Sequence, residues 1–139
     1  MKSLSLFMLA TSLLVLPLDA QESKTIHVDQ LVADAASNQS TAEMVTAKLI
    51  SYLTKRGVAV LEDDADAVLT GSCRIDSATR NGYTRYRVQG AMRLTDKDGK
   101  VLWGDVVYSS RFASSATSSF ADNVAKEVAD FLVGKPKKP

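Results

Sequence analysis

Cysteine and histidine each occur once in this chain, at Cys73 and His27, and that scarcity removes whole classes of chemistry. One cysteine forms no intrachain disulfide and builds no Cys-rich zinc or iron–sulfur site. A lone histidine leaves most metal centres and catalytic triads without their usual ligands, and no Gly-x-Ser-x-Gly sequence presents a nucleophile. Charge of one sign is equally lacking. Seventeen Lys+Arg against sixteen Asp+Glu leave a net charge of +1, so nothing steers the whole molecule toward nucleic acid or an anionic membrane, and charge-driven binding must come from a local patch. No uninterrupted apolar run reaches the roughly 20 residues of a membrane-spanning helix.

The apolar run that does occur, Leu4 to Leu16, follows Lys2 and ends at Pro17, Leu18, Asp19 and Ala20. That is the pattern of a secretory signal peptide, residues 1–20, cut before Gln21. No cysteine stands near the cut for lipid attachment, so a soluble periplasmic or secreted protein is expected. Residues 21–134 are expected to form a single domain, and Lys135 to Pro139 a disordered basic tail.

Within the domain the hydrophobic period changes several times. Lys24 to Leu31 alternates, with Ile26 and Val28 on one side, and predicts a strand. Ser40 and Glu43 have capping-box spacing and predict a helix start. Ala42, Val45, Leu49, Ile50, Tyr52 and Leu53 then share one helical face until Gly57. Val58 to Leu61 reads as a short buried strand, which makes a parallel crossover with the first. Two long alternating runs meet at Asn81-Gly82, the preferred sequence of a two-residue type I′ turn. Pairing Arg80 with Tyr83 puts Ile75 opposite Val88, Cys73 opposite Gly90, Gly71 opposite Met92 and Leu69 opposite Leu94. Every one of these pairs is apolar or small, and a slip of one residue would mix the faces. A second hairpin through Lys97, Asp98 and Gly99 is expected to place Leu94 opposite Leu102, with Leu102, Gly104, Val106 and Tyr108 on the apolar side. A Ser/Thr-rich connection, Ser109 to Ser119, leads to a last helix with Phe120, Val124, Val128, Phe131 and Leu132 on one face. The fold class is therefore α+β, in the order β-α-β-β-β-β-α, with a single mixed sheet and two helices packed on one face.

Most chemistry-bearing residues have a plain structural use. His27 and Asp29 are spaced to pair on the outward side of a strand, yet no nucleophile accompanies them, so no catalytic residue is assigned. Cys73 falls on the core face as a small hydrophobe. Glu62, Asp63, Asp64 and Asp66 lack the glycine and distal glutamate of a calcium loop and read as a solvated turn, so no metal ligand or cofactor is assigned. One constellation stands apart. Arg74, Arg85, Arg87 and Arg93 recur at strand spacing on the face opposite the core, where Asp76 is placed to pair with Arg87 and Trp103 to stack on Arg93. Guanidinium forks of this kind suit phosphate or carboxylate.

Several segments together resemble a known family. They are Lys24-Thr25-Ile26-His27-Val28, the helix end Leu53-Thr54-Lys55-Arg56-Gly57, Ala65 to Gly71, and Arg93 to Trp103 with its Asp98-Gly99 turn. The pattern resembles the LptE-like lipopolysaccharide-assembly family and, more loosely, periplasmic domains related to CsgG and the TolB N-terminal domain. The resemblance implies a sheet packed by two helices, no enzymatic activity, and docking to an outer-membrane β-barrel. It also implies a lipid anchor that this chain's sequence does not offer. The expected function is a non-enzymatic periplasmic accessory of envelope assembly, which meets lipopolysaccharide or a barrel through Arg74, Arg85, Arg87, Arg93 and Trp103. The alternative is a protein-interaction scaffold for another envelope enzyme or secretion machine. Nucleic acid is not an expected partner.

Overall fold

The computed structural model describes residues 24–112 and 115–134; the expected signal peptide and basic tail lie outside them. Strand β1, Thr25–Val28, buries Ile26 and Val28 as the alternation requires. A two-residue strand that the pattern does not reveal, β2 at Val32–Ala33, continues along the same neighbour. That neighbour is the long strand β4, Ala67–Arg80, which pairs in parallel with β1 through Ile26↔Ala67 and with β2 through Val32↔Ser72. The segment from Val28 to Val32 holds one residue more than the stretch of β4 beside it. This turns Leu31 inward, where it is fully buried and its N–H donates to Thr46 Oγ1 at 3.1 Å.

Helix α1 spans Gln39–Lys55 after a 3₁₀ turn at Ala36–Asn38. It starts one residue before the expected cap, and no side chain caps it. Ser40 lies within its first turn, and Gln39 reaches back instead to β2, accepting the Ala33 N–H at 3.0 Å. Ala42, Val45, Thr46, Leu49 and Leu53 are buried. The helix ends in a Schellman motif: Gly57 has φ +86°, and the Val58 and Gly57 N–H groups donate to the Leu53 and Thr54 carbonyls at 3.0 Å. Strand β3, Ala59–Val60, then pairs in parallel with β1.

The first hairpin follows the predicted register throughout. Strand β5, Tyr83–Asp96, pairs antiparallel with β4 from Arg80↔Tyr83 to Ala67↔Asp96. Asn81 and Gly82 have φ of +55° and +83°, as a type I′ turn demands. The second hairpin departs from expectation. Asp96 closes a three-residue loop, its carboxylate accepting the N–H groups of Asp98 and Lys100 at 2.9 Å, with Gly99 at φ +85°. Strand β6, Val101–Phe112, then pairs Thr95↔Val101 but Leu94↔Trp103, with an irregularity between Leu94 and Thr95. The extra residue, Leu102, inverts every later side chain of β6. Val107 and Ser109 are therefore buried, while Val106 and Tyr108 are 59% and 54% exposed.

The Ser/Thr-rich connection shrinks accordingly, since β6 runs to Phe112 and helix α2 spans Ser115–Leu132. Its buried face joins Phe120, Val124 and Val128 to the small residues Ala116, Ala121, Ala125 and Ala129; Phe131, expected on that face, is 37% exposed. The sheet order is β3-β1-β4-β5-β6, parallel around β1 and antiparallel from β4 onward, with β2 beside β4. Helix α2 packs on α1 and β6 and also meets β5. The core lies between the helices and one sheet face, which leaves the other face open.

Candidate arginine-bearing sheet face

Alternation on β4 and β5 sends Leu69, Cys73, Val88, Met92 and Leu94 inward, so their neighbours in sequence point outward together. Arg74, Arg85, Arg87 and Arg93 are all exposed on this outer face. The structure thus brings together the four predicted arginines. It does not bring Trp103, which faces Leu94 and packs against the core because of the Leu102 bulge; the residue opposite Arg93 is Gly104. No indole stacks on that guanidinium.

The partners of the arginines differ. Arg74 Nε lies 3.3 Å from Asp76 Oδ2, two residues along the same strand. Register places Asp76 opposite Arg87, but the carboxylate is taken by its neighbour on β4. With side chains 69% and 44% exposed, such a pair is screened and contributes about 0–1 kcal/mol. Arg85 Nε donates to Ser110 Oγ at 2.9 Å. The side chains of Arg87 and Arg93 make no hydrogen bond or ion pair among the described residues.

Beside Arg93 lies a feature that the pattern did not show. An open trough of about 520 Å³ runs over the part of the face next to Arg93, lined by Val32, Thr70, Ser72, Ala91, Arg93, Gly104, Asp105 and Val106 among others. Its floor is made of small side chains, and Val32 at its side is 60% exposed. The β2 strand and the β6 bulge build it, the first supplying Val32 and the second turning Gly104 and Val106 outward. A β-turn residue pattern that allows a bulge, here the Asp96 to Gly99 loop, was the available sequence signal.

The other candidates have structural roles. His27 Nδ1 lies 2.9 Å from the Leu61 carbonyl and Nε2 3.1 Å from Asp29 Oδ1, so both ring nitrogens face acceptors within the protein. Asp66 accepts the Thr25 N–H at 2.9 Å while its own N–H donates to Thr25 Oγ1 at 3.0 Å. The backbone hydrogen bond from Thr25 holds its carboxyl below the ordinary value, against a smaller opposing effect of burial. Cys73 is 2% exposed, and burial, helped by the charge of Asp34, pushes its thiol upward. Among the described residues no three His, Cys, Asp or Glu side chains are grouped to hold a metal, and no helix is long and apolar enough to cross a membrane.

No protein-family model and no curated protein matches this chain. Solved structures do share its fold. A PelC dodecamer from Paraburkholderia phytofirmans superposes with a TM-score of 0.58 at 19% identity, covering 80% of this chain and 87% of PelC. A DUF330 protein from Xanthomonas campestris gives 0.59 at 14% identity, covering 80% and 85%. The lipoprotein GNA1162 from Neisseria meningitidis gives 0.53 at 14% identity, covering 77% and 99%. These likenesses establish an α+β fold found in bacterial lipoproteins. They name PelC and DUF330 proteins and do not establish membership of the LptE-like family. This chain's one cysteine, Cys73, lies in the middle of β4.

Proposed function

We propose that this protein is a non-enzymatic accessory of the bacterial envelope that holds a phosphate-bearing glycolipid of the lipopolysaccharide type on its outer sheet face. The observation that carries the reading is Arg87 and Arg93, two guanidinium groups without side-chain partners among the described residues, exposed on one face of one strand, with Arg93 at the rim of a trough of small side chains. Six residue steps along the strand separate them, about 20 Å. Arg74 lies diagonally beside Arg87 across the β4–β5 pair. One anionic group of a ligand meets Arg74 and Arg87, a second meets Arg93, and the body between rests on Ala91 and its neighbours. The fold's occurrence in lipoproteins supports the compartment, and the breadth of the trough beside Arg93 supports a ligand larger than a free phosphate.

Cosedimentation with phosphatidylcholine vesicles, with and without incorporated lipopolysaccharide, tests the proposal. Binding is expected only to the loaded vesicles. It is expected to weaken at high salt and to fall at least about tenfold in Arg87→Glu/Arg93→Glu with an unchanged melting temperature. Equal binding by the variant removes the face from consideration. A second reading, a protein scaffold, is favoured by the exposed Val106 and Tyr108 beside the trough, and salt-insensitive capture of a protein partner would mark it.

A further inference from the structure

Strand β6 ends the sheet, and among the described residues nothing pairs with its outer side. It is twelve residues long and has neither Pro nor Lys to blunt it. Two side-chain contacts show which backbone groups face the open side. The Val106 N–H donates to Asp105 Oδ1 at 2.8 Å, and Arg111 Nη1 donates to the Ser110 carbonyl at 3.1 Å. Antiparallel pairing directs the backbone groups of alternate residues to opposite sides. Val106, Tyr108 and Ser110 therefore present theirs to the open edge, while Asp105, Val107, Ser109 and Arg111 direct theirs toward β5.

We infer that β6 pairs antiparallel with β6 of a second copy of this chain, with Tyr108 on the two-fold axis. In this register Val106 of each copy stands opposite Ser110 of the other. The Val106 N–H and the Ser110 carbonyl, each now held by a neighbouring side chain of its own strand, then bond to one another across the junction. Asp105 and Arg111, released from the edge, fall directly opposite each other on the same face, and the symmetry makes that ion pair twice. Nearby registers lack this match. Centring on Val106 sets Asp105 opposite Val107; centring on Ser110 sets Arg111 opposite Ser109; centring on Val107 sets Asp105 opposite Ser109. On the outer face the two Tyr108 rings meet at the axis, which covers part of a side chain that is 54% exposed in one copy. An isologous contact closes at two copies, so it satisfies the edge without building a fibre.

Sedimentation velocity on the protein and three charge variants is the test. A dimer is expected for the wild type. Asp105→Arg and Arg111→Asp are each expected to raise its dissociation constant about tenfold or more, and Asp105→Arg/Arg111→Asp to restore it to within a few-fold. A second experiment does not depend on charge. Tyr108→Cys is expected to give a disulfide-linked dimer on mild oxidation, since directly opposed hydrogen-bonded residues have Cα atoms about 5.5 Å apart, while Ser110→Cys, opposite Val106, is not. Buried Cys73 stays out of that reaction. A monomer at all soluble concentrations, an assembly indifferent to all three charge variants, or equal crosslinking of both cysteine variants overturns the proposal.

Discussion

Gly90→Ala is the substitution for which the structure gives the sharpest expectation. Gly90 lies buried in the middle of β5, between Cys73 on β4 and Val107 on β6, and the ring of fully buried Phe120 from α2 rests on it. A methyl group there would stand 2.5 Å from Phe120 Cζ, 3.0 Å from its Cε1 and 2.9 Å from the Ser72 carbonyl oxygen. Ordinary carbon contacts lie at about 3.5–4.0 Å. The ring is packed on all sides and the carbonyl belongs to the sheet, so neither yields cheaply. Overpacking of this kind costs about 1–3 kcal/mol, offset by roughly 0.5–1 kcal/mol for removing a strand glycine, leaving a net loss centred on about 1 kcal/mol. Urea unfolding of Gly90→Ala, Phe120→Leu and the double variant separates the terms. Phe120→Leu removes the clashing ring atoms, so the double variant is expected to be at least about 1 kcal/mol more stable than the sum of the singles. A stabilising Gly90→Ala, or additivity within about 0.5 kcal/mol, refutes the packing of Phe120 of α2 on β5.

Further expectations follow from single contacts. The Asp66 carboxyl titrates below its ordinary value, so its contribution to stability is present above the usual carboxylate range and is lost as pH falls through the folded value. The urea midpoint of wild type is accordingly expected to exceed that of Asp66→Asn at pH 7, with the gap closing on acidification below about pH 4; a gap constant with pH contradicts the Thr25 clamp. Cys73 is expected to resist a thiol-specific reagent at neutral pH until the chain unfolds, because burial keeps it protonated and covered; stoichiometric labelling of the native protein contradicts that. Gly82→Ala meets no atom within 4 Å but must hold φ at +83°, so a loss of about 1 kcal/mol from backbone strain is expected, read by thermal melting.

The long hairpin was legible in the sequence because two constraints agreed there. Asn81-Gly82 sets the turn, and an unbroken alternation of apolar and polar residues sets the register, so the sequence alone puts Arg74, Arg85, Arg87 and Arg93 on one face. Strand β6 was misread because its pattern is ambiguous. Val106 and Val107 are both apolar, and only the bulge at Leu102, a consequence of how Asp96 and Gly99 close the loop, decides which of them is inside. The same misreading put Trp103 beside Arg93. Leu31 and β2 were obscured for a related reason, one extra residue between two short parallel pairings. In α2 four alanines share the buried face with Phe120, Val124 and Val128, and a pattern weighted toward large side chains assigns Phe131 to a face it does not fill. The trough depends on both irregularities and was therefore invisible to period alone.

Amide chemical-shift mapping on isotope-labelled protein, titrated with short-chain lipopolysaccharide, tests the central claim most directly. The proposed function predicts shifts confined to the outer sheet face, at Thr70, Ser72, Arg74, Arg87, Ala91, Arg93 and Gly104, with α1 and α2 unmoved. Shifts spread over the helices, or none at saturating ligand, would contradict it.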